Sequence, residues 1–186
     1  MLWILIVLLV IVVAVVGMYN SLVRLRVRAD GAWADIDVQL KRRWDLIPNL
    51  VQTVKGYASH EKDTLEAVIN ARNRAMSAQG PSEKGEAESA LTGALRQMFA
   101  LSEAYPNLRA VESFTELQGT LNEIEGAVQN ARRYYNAVVR DYNTKTQVFP
   151  ANLLAGMFGF TAREFFSLED ESQRDAPEVS FDATSA

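Results

Sequence analysis

The 186-residue sequence contains no cysteine, one histidine, five prolines and ten glycines. Without cysteine there can be no disulfide framework, thiolate metal site, thiol nucleophile or lipid-modified cysteine anchor. The sequence has no glycine-rich phosphate loop and no G-x-S-x-G motif, and His60 lacks the second histidine four residues on that a zinc peptidase helix needs. These absences predict a protein that is not an enzyme and that binds no cofactor or metal.

A basic field is also missing, since the net charge is −4. Residues 167–186 carry six acids and one base, whereas residues 1–166 are close to neutral. This distribution argues against nucleic acid as a partner. The acidic segment 167–186 has the composition of a disordered tail. Within it, apolar and polar residues alternate from Pro177 to Phe181, which is the pattern of a strand added to a sheet or of a docked extended peptide.

The sequence opens with an apolar run from Leu2 to Met18, which predicts a transmembrane anchor over residues 1–18. A buried core helix and a cleaved signal peptide are the alternatives, but no basic residue precedes the run and no small-x-small cleavage site follows it. Arg24, Arg26 and Arg28 come directly after it. Because basic residues near a span stay on the cytoplasmic side, we expect the N-terminus outside and the remaining chain in the cytoplasm.

A long apolar stripe with gaps of three and four residues follows the run and predicts one helix that extends to Gly80-Pro81. Pro48 lies inside this helix and has no N–H to donate to the carbonyl of Trp44, so a bend is expected there. We expect Asp37 and Asn49 to form hydrogen bonds at the bend.

Two further helices complete the predicted bundle. One is expected from Ser82, as N-cap, to Ala104. The other starts near Leu108 and carries a heptad seam of the kind found in coiled coils, which favours near-parallel packing against another long helix. Tyr-Asn pairs at 135–136 and 142–143 lie one heptad apart, either as register-setting polar residues or as ordinary half-buried tyrosines. The fold class is therefore all-α: a transmembrane helix followed by an antiparallel bundle over residues 19–166.

Several segments resemble the LemA family of bacterial single-pass membrane proteins. The motifs are YNSLVRLR after the run, AWADIDVQLKRRWDLIPNLVQTVKGYASHE, and YPNLRAVESFTELQGTLNEIEGAVQNARRYYNAVVRDYN. The resemblance implies a single N-terminal anchor in the bacterial cytoplasmic membrane and an antiparallel helical bundle, but no reaction. The magnetosome protein MamQ is similar to this family, which implies work on membranes or membrane assemblies.

The predicted function is a membrane-anchored scaffold that self-assembles and organises the bilayer or partner proteins. The predicted first helix, about 90 Å long, is longer than the predicted last helix, which is about 60 Å long. Part of its apolar surface near the membrane would therefore have no intrachain partner. The residues predicted to contact another copy or a partner are Leu22, Leu25, Trp33, Trp44, Phe158, Phe160, Phe165, Phe166, Val179 and Phe181. The alternative is an adaptor or regulator of another membrane protein, such as a protease or sensor, which docks at Lys41-Arg42-Arg43.

Overall fold

The computed structural model describes residues 1–167, and all regular structure in this part of the chain is helical. The segment Pro177 to Phe181, with Val179 and Phe181, lies outside the described residues. The helices are α1 (Leu2–Tyr57), α2 (Lys62–Ser77), α3 (Gly80–Ala104), α4 (Pro106–Arg109), α5 (Glu112–Gln147) and α6 (Ala151–Phe158). The predicted all-α class, with a long apolar N-terminal helix and a helical bundle, is confirmed.

Helix α1 is a single element of 56 residues and is about 84 Å long at the usual helical rise. Its N-terminal part is long and apolar enough to cross a membrane, and this part is not buried against the rest of the protein. Its C-terminal part packs in the bundle through a stripe that includes Leu22, Ala29, Ile36 and Leu40. The apolar run and the bundle are therefore joined by continuous helix.

The first helix ends earlier than predicted, at Tyr57, and the chain turns back through residues 58–61 into α2. Ala58 leaves the helical conformation, with φ −128° and ψ 52°. The reversal buries Leu65 and Val68 of α2 in the same cluster as Ile47 and Val54 of α1. A helix extended to Gly80 would have left these apolar side chains in water, and their burial favours the turn.

The dipeptide Gly80-Pro81 starts α3, although it was expected only to end the preceding helix. Gly80 has a positive φ of 71°, which glycine adopts without a steric cost. Pro81 lies in the first helical turn, where its missing N–H needs no intrahelical partner. Ser82 is consequently inside the helix, and Gln79 occupies the N-cap position.

Helix α5 runs antiparallel to α1 and forms the main packing interface with it. Tyr142 meets Leu22 near the apolar run, and Phe114 lies in the distal cluster with Val54. The predicted heptad seam of α5 is confirmed, since most of its apolar positions are buried and the remaining two, Leu117 and Ala131, are partly buried against the core. The buried seam residues are Phe114, Leu121, Ile124, Val128, Tyr135, Val138 and Tyr142.

After α5 the chain forms the short helix α6, which Gly159 ends in the left-handed conformation with φ 69°. Residues 160–167 then run without regular structure back along α5. We call this segment the strap. It places Phe160 and Phe166 in the core while Phe165 remains about half exposed.

Candidate functional site

A buried polar centre joins α1, α3 and α5. Arg43 and Glu88 are the buried charged residues of the described chain. The Arg43 guanidinium donates to Glu88 Oε2 at 3.0 Å and to Thr92 Oγ1 at 2.9 Å, and it lies 3.0 Å from Glu125 Oε2. Trp44 Nε1 donates to the other oxygen of Glu88 at 2.6 Å. One charged group thus ties three helices together.

Burial raises the pKa of the Glu88 carboxyl above its ordinary value of 4.5, although Arg43 and the Trp44 hydrogen bond act in the opposite direction. Both Glu88 oxygens already accept hydrogen bonds, and the side chain is fully buried. A general acid or base must reach a substrate proton. The arrangement therefore suits positioning of helices rather than proton transfer.

The basic docking surface predicted at residues 41–43 does not form as a unit. Arg43 points into the polar centre, because its charge pairs with Glu88 and Glu125. Lys41 instead pairs with Asp45 on the outside of α1, at 2.9 Å. The spacing of these basic residues on a helix, which separates them by 100° steps, explains why only one of them turns inward.

Helix α1 continues through Pro48, and the carbonyl that proline leaves without an N–H partner is satisfied from α2. Arg72 Nε donates to the carbonyl oxygen of Trp44 at 2.8 Å. The two residues expected to form hydrogen bonds at this point do not supply that bond. Asp37 accepts from Lys84 Nζ at 2.9 Å, and the exposed Asn49 contributes its own carbonyl to the Thr53 hydroxyl. The bend at Pro48 itself stays a prediction.

The strap is held by the two asparagines of the Tyr-Asn pairs. Asn143 accepts from the Arg163 N–H at 2.8 Å and donates to its carbonyl at 2.9 Å. Asn136 forms the same pair of bonds with Phe166, at 2.9 and 3.0 Å. Tyr135 adds a bond from its hydroxyl to the Glu164 carbonyl at 3.0 Å.

The spacing of these two clamps follows from backbone geometry. Seven residues of helix rise about 10.5 Å, and three residues of extended chain span about 10 Å. Asn136 and Asn143 therefore match Arg163 and Phe166 in register. Sequence reasoning placed these asparagines beside the α1–α5 seam, but their partner lies in a segment whose path the sequence did not indicate.

Most residues predicted to contact another copy are covered within the chain. Leu22, Phe160 and Phe166 are buried, which corrects the expectation that they lack an intrachain partner. The partly buried ones pack on the core: Leu25 near Leu22, Trp33 and Trp44 against neighbouring clusters. Phe158 and Phe165 keep about half of their surface exposed.

A strip of exposed apolar side chains lies beside the place where the apolar run of α1 ends. Phe149 is 79% exposed, Leu153 58%, Met157 76% and Phe158 54%. We call these four residues the apolar edge. The opposite side of α6 packs on α1 through Leu154 and Ala155. Sequence reasoning identified Phe158 but not the other three, although the absence of charge around them was visible.

A groove of about 600 Å³ lies between α1 and α5 at the same end of the bundle. Its charged lining residues are Arg24, Arg28, Arg140, Asp141 and Lys145. Four bases against one acid make this groove attractive to anions. Within residues 1–167, no group of three or more histidine, aspartate or glutamate side chains could hold a metal ion.

Comparisons with known proteins identify a family and relatives of this chain. The model of the LemA family matches residues 32–181. Magnetosome protein MamQ 2 of Paramagnetospirillum magneticum is 25% identical over 174 residues, covering 80% of this chain and 64% of the relative. Protein LemA of Metamycoplasma hominis is 25% identical over 144 residues, covering 75% of this chain and 64% of the relative. The chain thus spans slightly less than two thirds of these relatives' length.

Proposed function

Because this chain belongs to the LemA family, we propose that it is a membrane-anchored helical scaffold that self-assembles and organises the membrane or partner proteins. The observation that carries the proposal is the continuity of α1 from the apolar run into the bundle. A tethered enzyme domain or a mobile adaptor would be served by a flexible linker. A continuous helix instead fixes the position of the bundle relative to its anchor.

Self-assembly is supported by a smaller surface than the sequence indicated. Phe165 is about half exposed on the strap, next to the fully buried Phe166. Anchors in one membrane plane hold neighbouring copies parallel and at high effective concentration, so a small apolar contact can suffice. Three relatives of this chain are named as magnetosome proteins, and we infer from this likeness a role in a membrane-associated assembly.

Particle size in mild detergent tests the proposal. The full-length protein is expected as a large homo-oligomer, and Phe165→Glu is expected to reduce its size with the helix content unchanged. Ile69→Glu is the matched control, because Ile69 is also exposed but lies on α2. A monomer at micromolar concentration would refute self-assembly, and a small complex with another membrane protein would support the adaptor function.

We further propose that the N-terminus is outside the bacterial cytoplasmic membrane and the bundle inside, from the arginines that follow the apolar run. The cysteine-free sequence allows single cysteines at the exposed positions Ser59 and Ser82. Both should resist an impermeant thiol reagent in intact cells and react after the cells are opened. Labelling of both positions in intact cells would reverse the orientation.

A further inference from the structure

We propose that α6 is a second membrane contact, and that its apolar edge inserts into the interfacial layer of the bilayer that α1 crosses. This inference rests on the proposed anchoring by α1. The first observation is position. Leu154 and Ala155 of α6 lie in one cluster with Leu22, and Val15 and Met18 of α1 pack against that cluster. Helix α6 therefore lies at the level where the apolar run ends.

The length of the run places this level at the membrane boundary. Residues Leu2–Met18 form 17 helical residues, which rise about 25 Å. The hydrocarbon core of a bilayer is about 30 Å thick. The next turn of α1, up to Leu22, therefore falls at the edge of the hydrocarbon layer. Helix α6 covers that turn and presents its own apolar side chains to the surroundings.

Two aromatic contacts fix α6 and the start of the strap at this level. The ring of Tyr19 packs edge-on against Phe158, with 5.0 Å between centroids, and against Phe160 at 5.8 Å. The guanidinium of Arg26 lies 5.1 Å from the centre of the Phe160 ring. Aromatic and basic side chains of this kind are typical of the membrane–water interface.

The charge distribution also fits a lipid surface. Residues 146–162, which contain α6 and the whole apolar edge, carry no charged side chain. The basic groove of Arg24, Arg28, Arg140 and Lys145 adjoins this segment through Val148. Apolar side chains beside a cluster of cations match the acyl chains and phosphates of anionic lipids. A lipid surface would thus cover the apolar edge with acyl chains and pair the basic groove with phosphates.

Lipid is favoured over a second copy of the chain because the apolar edge is continuous with the exposed apolar run. Val15 and Met18 are partly covered by α6, whereas the residues before them are exposed around the helix. The bilayer that covers the run would reach α6 without any further change in structure.

The test uses the full-length chain, which has no cysteine of its own, with a single cysteine introduced by substitution. That cysteine is labelled with an environment-sensitive fluorophore, and the protein is placed in vesicles of phosphatidylcholine and phosphatidylglycerol. The reporter position is Met157, and Leu153 is a second one. Val10 in the apolar run is the positive control, and Thr115 at the distal end of α5 is the negative control. Nitroxide-labelled lipids serve as quenchers.

We expect a blue-shifted emission at Met157 and Leu153, with loss of intensity when nitroxide lipids are included, as at Val10 but not at Thr115. Quenching at Val10 without quenching at Met157 would overturn the α6 contact and leave the anchoring intact. No quenching at Val10 would instead refute the anchoring on which the inference rests. A blue shift at Met157 that nitroxide lipids do not affect would mean that protein covers α6, which also overturns the inference.

Discussion

Substitution of Gly85 by alanine should detach the end of the strap from the bundle. Gly85 lies in α3, and a Cβ atom there would stand 1.9 Å from the carbonyl oxygen of Ser167. The clash is with backbone, so no side-chain rotation relieves it. Because α3 is packed against the core through Leu91 and Leu95, we expect the strap to move and the helix to stay.

The structure sets the size of the effect. Lifting the strap end exposes the fully buried Phe166 side chain, which loses about 2 kcal/mol of apolar burial. The two bonds to Asn136 contribute about 1 kcal/mol each, and the edge-on contact with Trp33 about 1 kcal/mol. Freeing about three residues returns roughly 3 kcal/mol of backbone entropy. The remaining loss is about 2 kcal/mol, reduced by about 1 kcal/mol because alanine favours the helix more than glycine.

Two measurements check this expectation. Denaturant unfolding should show a net destabilisation of about 1 kcal/mol, since the loss from detaching the strap end is partly offset by the higher helix propensity of alanine. Amide hydrogen exchange should accelerate at Phe166, whose N–H loses Asn136, and less at Arg163, which Asn143 still holds. The matched control is Gly93→Ala, because Gly93 is also inside α3 but a Cβ there meets nothing within 4 Å.

A double-mutant cycle decides whether detachment of the strap end causes the destabilisation by Gly85→Ala. If the strap end is already detached by Gly85→Ala, adding Asn136→Ala should cost almost nothing, although Asn136→Ala alone removes two hydrogen bonds. Additive costs, or unchanged exchange at Phe166 in the Gly85 variant, would refute the reasoning. Gly93→Ala should stabilise the protein by about 0.5–1 kcal/mol.

Three further predictions concern the polar centre and Pro48. Glu88→Ala should cost about 3–5 kcal/mol of unfolding free energy, because Arg43 and Trp44 both lose a buried partner. Glu88→Gln should cost less, because its amide oxygen still accepts one of the two hydrogen bonds, although its NH2 group faces the other donor. Equal costs would contradict this. The raised pKa also means that the folded state binds the Glu88 proton more tightly than the unfolded state does. The contribution of Glu88 to stability should therefore be complete below pH 4.5 and should fall as the pH rises through the folded-state pKa. The pH dependence of unfolding of Glu88→Gln should lack this component. Arg72→Met should lower the unfolding free energy by about 1–3 kcal/mol in the natural sequence, because the Trp44 carbonyl loses its hydrogen bond. The loss should be clearly smaller in a Pro48→Ala background, where the new amide N–H of residue 48 can reach that carbonyl. Equal losses in the two backgrounds would show that the hydrogen bond from Arg72 to Trp44 is not what stabilises the protein.

The sequence by itself determined the elements that depend on local periodicity. The three-and-four spacing from Leu22 onward and the heptads of α5 predicted two long helices packed along each other, because helical period decides which side chains share a face. The apolar run was equally visible, since length and composition alone make a helix able to cross a membrane. No partner had to be known for any of these conclusions.

Only the tertiary structure decided where the chain reverses and which polar groups meet. Residues 58–61 contain neither glycine nor proline, and Gly56 still lies inside α1, so the local sequence did not place the reversal; burial of Leu65 and Val68 provides the reason. Once α2 turns back, Arg72 reaches the carbonyl of Trp44, 28 residues earlier in the chain. Periodicity shows which residues avoid water, but the partner that covers them is set by how distant segments pack, and this packing put Phe166 in the core.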